Sequence, residues 1–320
     1  MRSLTEETRN YRQEFKAYYY EKMVNELARF EELRKPELFK YWFCLSLIVV
    51  AAVVTIFFLN YFSKLMPVGF WEKNGASEPI MMLGFFSAAG FCWLANKVKK
   101  DFERKVKAGV INSFLSFFGD FTWSCNDCVS HSEIEDSKVV GNFTSMTNDD
   151  YFEGRYKNLR IVISEVKLVR GSGKNRTQIF SGIFVKLDLN KRFNSHTIIV
   201  ENNPLKGFFA KNFNVDMQKI ELEDVEFEKE FDVYAHDQVE ARYLITPSFI
   251  ERFKALKKVY DSKDIRASFL DKSITISIPC QKDMFCLADV RKPVTDTGEI
   301  QQLFEEFAAV LALVDLLNLE

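Results

Sequence analysis

The sequence lacks an excess of either charge. Its 43 lysines and arginines stand against 45 aspartates and glutamates, a net of −2 over 320 residues. Nucleic-acid binders concentrate basic charge on one domain. Here basic clusters occur only beside two apolar runs, so no nucleic-acid partner is expected. A disulfide framework is lacking too. The six cysteines are Cys44, Cys92, Cys125, Cys128, Cys280 and Cys286, too sparse for a secreted, stapled scaffold. Cys44 and Cys92 lie in the apolar runs, where cysteine behaves as a small hydrophobe. Nor does a cleavable signal open the chain, because about forty mostly polar residues precede the first apolar run. The 32 phenylalanines are read as core and membrane filler.

What is present is a charge-free run, "WFCLSLIVVAAVVTIFFLNYF", at 42–62. About 20 such residues span a bilayer core. Its thirteen Leu, Ile, Val or Phe residues favour insertion by about 4–8 kcal/mol before polar corrections. A second run, "PIMMLGFFSAAGFCWLAN" at 79–96, has six such residues and roughly half that driving force. Gly84 and Ala88, like Ala51 and Thr55 in the first run, have small-xxx-small spacing. That spacing permits close helix approach. The expectation is a tight transmembrane hairpin, against the alternative of a buried soluble helix for 79–96. Arg29, Arg34, Lys35 and Lys40 precede the first run, and Lys97, Lys99, Lys100, Arg104, Lys105 and Lys107 follow the second. The loop between holds only Lys64 and Lys73. The asymmetry predicts both termini in the cytoplasm. Tyr41, Trp42 and Trp93 then mark the inner interface, and Tyr61, Phe70 and Trp71 the outer one.

Residues 4–35 read as a helix, with Tyr11, Phe15, Tyr18, Leu27 and Phe30 at helical spacing. Pro36 is expected to break or kink it. After the second run, Val98, Phe102, Val106, Val110 and Phe114 form another stripe. Joined to the arms of a hairpin, the two helices should make an antiparallel stalk rather than lie flat on lipid. From about 139 the pattern turns to β. "NLRIVISEVKLV" and "RTQIFSGIFVKLDL" alternate about "RGSGKN", a hairpin signature. "HTIIVE", "KIELE" and "EFDVYA" read as strands, and "IRASFLDKSITISI" as a second hairpin turning at Asp271 and Lys272. "PSFIERFKALKKVY" and about 299–317 read as helices. The fold class is α+β: a two-helix transmembrane hairpin, a helical cytoplasmic stalk, and a mostly antiparallel sheet domain with helices. The expected divisions are 1–40 amphipathic helix, 41–97 hairpin, 98–138 helix and linker, and 139–320 cytoplasmic domain.

Three stretches carry residues of chemical interest. "GSGKN" at 171–175 hints at a phosphate loop, but Leu168 stands where the pattern needs glycine and Asn175 where it needs Ser or Thr. A hairpin turn with Gly and Asn at positive φ is the better reading. "CNDCVSH" offers Cys125, Cys128 and His131 as metal or redox groups. A fourth ligand and a second C-x-x-C are lacking. The densest stretch is 230–253, with Asp232, His236, Asp237, Glu240 and Arg242. Asp237 and Glu240 have capping-box spacing. Thr246 and Pro247 can start the next helix, with Phe249, Phe253, Leu256 and Tyr260 as its core face. Arg242 is expected to pair with Asp232, Glu228 or Glu240. Asp232 and His236 have no required local duty and can serve as orienter and base, although no nucleophile stands nearby.

"LEDVEFEKEFDVYAHDQVEARYLITPSFIERF", 222–253, resembles the hallmark of a bacterial integral-membrane family, domain of unknown function 3137. The pieces "DDYFEGRYKNLRIVISEVKL" (149–168) and "FSGIFVKLDLNKRFNSHTIIV" (180–200) are similar in kind. His236 departs from the pattern, where a small or polar residue is expected. The resemblance implies an inner-membrane protein of bacteria with a cytoplasmic domain, and it brings no catalytic residues with it. The expected function is a non-enzymatic, multi-pass protein. Its partners are the lipid bilayer and a cytoplasmic protein or ligand, with oligomerisation through the membrane and stalk helices and no cofactor. The alternatives are a tethered enzyme using Asp232, His236, Asp237, Glu240 and Arg242, or a metal or redox module at Cys125 and Cys128.

Overall fold

A computed structural model describes residues 4–65, 77–202, 217–281, 284–285, 287–295 and 297–317. The expectations for Phe70, Trp71, Lys73 and Cys286 lie outside them. The chain forms two compact units, Met1–Ile111 with Cys286–Glu299, and Asn112–Phe285 with Ile300–Glu320.

The first unit is built on long helices. Helix α1, Leu4–Tyr18, runs through a π-helical turn, Tyr19–Met23, into α2, Val24–Leu65. Phe15, Tyr19, Met23 and Leu27 are buried. A spacing of four exceeds the 3.6-residue turn of an α-helix, and the wider π turn keeps the four on one face. The expected stripe therefore keeps Phe15 and Leu27, while the buried tyrosine is Tyr19 rather than Tyr18. Pro36 does not break the chain, and lies inside the continuous α2. It forfeits one backbone hydrogen bond, and the turns on either side retain theirs.

Helix α3, Ser77–Leu115, packs antiparallel to α2. A Cβ added at Gly109 would lie 2.2 Å from the Phe30 ring, and one at Gly84 would lie 2.3 Å from Thr55 Oγ1. Lys105 Nζ is 3.8 Å from Glu37 Oε1. Positions rise along α2 as they fall along α3, so one register holds from the stalk into the apolar runs. This is the expected stalk. Phe102, Val106, Val110 and Phe114 are buried in α3. The apolar window of α2 is 0% buried and that of α3 6%, which removes the buried-helix alternative for 79–96. Two long, apolar, outward-bare helices are candidates for a membrane hairpin.

A strap from 287–295 closes this unit. Arg34 Nη1 donates to the Val290 carbonyl (3.1 Å), and the Val294 amide donates to Glu31 Oε2 (2.9 Å). Lys99 Nζ lies 3.5 Å from Asp289 Oδ2. The strap thus ties α2 to α3. Burial opposes the charge of Asp289, but Arg291 and Lys99 hold it well below the usual carboxylate range.

The second unit is an antiparallel sheet with helices. Its strands are β1, Asp120–Ser124; β2, Ser145–Tyr156; β3, Leu159–Arg170; β4, Thr177–Asp188; β5, Thr197–Glu201; β6, Gln218–Ile220; β7, Phe231–Ala235; β8, Arg266–Leu270; and β9, Ser273–Pro279. They lie in the order β1-β2-β3-β4-β9-β8-β5-β7-β6. Both expected hairpins form. Gly171 and Gly173 supply positive φ in the first turn, and Asp271 does so in the second. Asn175 does not adopt positive φ, because the two glycines suffice. Strands β1 and β2, and helix α4, His131–Ser137, were not anticipated. Helices α5, Val225–Glu230; α6, Gln238–Leu244; α7, Pro247–Val259; and α8, Thr297–Leu317, complete the described elements.

The phenylalanines organise two cores. Phe307 of α8 meets Phe114, Phe121, Phe152 and Phe285 with ring centroids 5.1–6.0 Å apart. At the other end Phe231, Phe253, Phe249 and Phe269 follow one another at 5.3–5.5 Å. Edge-to-face and offset pairs at these separations contribute beyond area burial.

Candidate functional site

The 230–242 stretch proves to be a junction whose charged residues each face a different partner. Strand β7 ends at Ala235, and Asp237 caps α6 by accepting from the Val239 and Glu240 amides at 2.8 and 3.2 Å. Glu240 does not reach back to complete a capping box. Its carboxylate turns to the 194–195 loop, accepting from the Asn194 amide at 2.9 Å and the Ser195 amide at 2.7 Å. Two backbone donors outcompete the single one of a capping box. Asp232 pairs with Lys219 at 2.7 Å. Arg242 meets none of the expected carboxylates, since its Nε donates to the Glu221 carbonyl at 3.3 Å. The His236 side chain is exposed, and its backbone amide bonds His196 O. Thr246 accepts from the Phe249 amide at the start of α7, Pro247 follows, and Phe249, Phe253, Leu256 and Tyr260 are buried as expected.

Cys125 and Cys128 are exposed free thiols. His131 opens α4, where Ser130 and Glu133 form a capping box. Its Nδ1 is 3.4 Å from Glu135, and its ring centroid is 4.0 Å from that of Phe143. Among the described residues no three His, Cys, Asp or Glu side chains are grouped to hold a metal. Glu133 also binds Lys186. Burial resists its charge, yet Lys186 and Ser130 hold it down to about 2.

Sequence patterning gave no sign of a concavity in the second unit. A cavity of about 1420 Å³ opens in the second unit, lined by 140–144, 170, 178–181, 259–261, 263, 264, 266, 279–281, Met284 and Gln302. These pieces come from loops and strand ends far apart in the chain, so no local motif marks them. Phe143, Ile179, Phe180 and Met284 supply apolar wall. Arg170 Nε donates to the Asn142 carbonyl at 2.7 Å, and its Nη2 lies beside Gly141. Arg266 is bound to Asp264 and to the Val139 carbonyl. Tyr260 donates to the Glu306 carbonyl at 3.1 Å, and burial pushes its phenol well above the ordinary value. Burial, then Glu165 and Glu306, push the Cys280 thiol up to about 12. A protonated thiol is a poor nucleophile. His196, outside the cavity, is pushed down to about 4 by burial and bonds Ser268 Oγ at 2.8 Å.

Residues 178–319, which include this junction and most of the cavity wall, match the family described as Protein of unknown function (DUF3137). They are a DUF3137 domain. The match takes in the 222–253 hallmark and the 180–200 piece, while the 149–168 piece precedes it. No curated protein sequence matches the chain. Among solved structures, the chain is similar to the crystal structure of the mycobacterial trehalose monomycolate transport factor A, TtfA. Identity is 12% and the TM-score 0.36, covering 64% of this chain and 91% of that one.

Proposed function

We propose that this chain is a membrane-anchored binding protein. Residues 42–62 and 79–96 cross the bilayer as a hairpin, with both termini in the cytoplasm. The second unit, which carries most of the DUF3137 match, takes a ligand in its cavity. The observation that carries the binding reading is that cavity. Apolar wall and convergent polar groups in one large concavity are the usual composition of a ligand site. Its ionisable groups are poorly set for catalysis, since Cys280 is held as a thiol, Tyr260 is tied to a backbone carbonyl, and Arg266 is neutralised by Asp264. The dispersal of Asp232, His236, Asp237, Glu240 and Arg242 among separate partners favours binding over the tethered-enzyme reading. The exposed apolar surface of α2 and α3 supports the anchor, and the Lys and Arg excess just before 42 and just after 96 supports the orientation.

Native mass spectrometry of the full chain, released from membranes in mild detergent, tests the binding reading. The wild-type protein should retain a discrete added mass or gain thermal stability with a cell extract. Gln178→Trp, placed on the cavity lining, should lose both. A wild-type chain with neither property would overturn it. Carbonate washing and a C-terminal reporter test the anchor, which predicts retention in the pellet and a cytoplasmic signal.

A further inference from the structure

The outward face of α3 changes character at Trp93. Trp93, Lys97, Lys100 and Arg104 recur at intervals of four, three and four, which sets them within about 60° of one another around the helix. Trp93 is 62% exposed, and the three cations are exposed with it. Lys97 Nζ lies 5.4 Å from the Trp93 ring centroid, within cation–π range. Neighbouring cations are neutralised internally: Arg34 by Glu31, Lys40 and Lys105 by Glu37, and Lys99 by Asp289. Among the described residues no carboxylate forms an ion pair with Lys97, Lys100 or Arg104. The flanking Asp101 and Glu103 are half-buried to either side of the stripe.

We infer that this stripe binds the anionic headgroups of the bilayer leaflet that α3 enters, an inference that rests on the spanning arrangement proposed above. Tryptophan at the end of an apolar span sits at the headgroup boundary. At 1.5 Å per residue, Lys97 stands about 6 Å, Lys100 about 10 Å and Arg104 about 16 Å along the axis from it. The first two fall at headgroup depth or just beyond, in a layer roughly 5–8 Å thick per leaflet. Arg104 is within about one Debye length of its edge. Basic residues just beyond a span attract anionic lipid. This stripe is set apart from a general positive flank because its three unpaired cations share one exposed helix face with Trp93, while Arg34, Lys40, Lys99 and Lys105 are held in ion pairs.

The full chain reconstituted in nanodiscs of equal phosphatidylcholine and phosphatidylglycerol, then released for native mass spectrometry, reads the lipids it keeps. Wild type should retain phosphatidylglycerol several-fold over phosphatidylcholine. The Lys97→Gln, Lys100→Gln, Arg104→Gln variant should lower that ratio at least fivefold, the effect of about one headgroup contact. Lys174→Gln, in the β3–β4 turn of the second unit, should leave it unchanged. The charge-preserving Lys97→Arg, Lys100→Arg, Arg104→Lys variant should also keep it, which separates charge from folding. Equal retention of both lipids by wild type, or an unchanged ratio in the neutral variant, would overturn the inference while leaving the anchor standing. A wild-type chain stripped from membranes by carbonate would overturn both.

Discussion

Gly84 of α3 lies directly against Thr55 of α2, so close that a Cβ at position 84 would stand 2.3 Å from Thr55 Oγ1 and 2.8 Å from Cγ2. Thr55 is itself fixed, donating to the Ala51 carbonyl at 2.7 Å. Gly84→Leu should therefore cost about 1–3 kcal/mol through overpacking, seen as a lower thermal midpoint in detergent. Gly90 in the same helix has no atom within 4 Å of its would-be Cβ. Gly90→Ala should be neutral, or stabilise by up to about 1 kcal/mol through helix propensity. Equal effects at both positions would refute the close contact.

Glu240 and Asp237 sit three residues apart but hold different things. Asp237→Ala removes a helix cap and should cost about 1 kcal/mol. Glu240→Ala frees the two loop amides at 194 and 195 and should cost about 2 kcal/mol, since hydrogen bonds to a charged group exceed neutral ones. Urea denaturation of the two variants measures the difference. A capping box would give similar losses.

This pair also shows what the chain's pattern reveals and what it conceals. The Asp237 cap, the Thr246–Pro247 start and the buried face of α7 follow from spacing within one turn, and all were legible. Glu240's partners lie 45 residues away, beyond any local signal. Strands β3, β4, β8 and β9 announce themselves by β-branched alternation. Strand β2, "SMTNDDYFEGRY", is rich in residues that disfavour strands, and forms because β1 and β3 pair with it on both edges. The close approach of 55 and 84 was legible in their small-residue spacing. The cavity was not, because loops and strand ends far apart in the chain assemble it.

The thiols should divide sharply by reactivity. Cys125 and Cys128 are exposed, and a maleimide should label them within minutes at pH 7.5. Cys280 is buried and held as a thiol up to about 12, so it should stay unlabelled until the protein unfolds. Mass mapping of labelled peptides reads all three. Rapid labelling of Cys280 in the folded protein would contradict the environment described.

Glu133 gives stability a dependence on acid. Its folded pKa, about 2, lies below the ordinary 4.5, so its contribution is fully present above pH 4.5 and disappears as pH falls towards 2. Over that window wild type should lose more stability than Glu133→Gln, whose neutral amide does not titrate. Chemical denaturation at stepped pH makes the comparison, and parallel curves would mean that the bond to Lys186 is not formed in solution.

The strap at 287–295 has a consequence for how the molecule is made. A ribosome finishes both long helices some 170 residues before it delivers the strap that joins Glu31, Arg34 and Lys99. The nascent hairpin must therefore wait, unfastened at its base, while the whole sheet is synthesised. Cleaving the chain at 111 would leave two fragments, one holding the lock and the other the key.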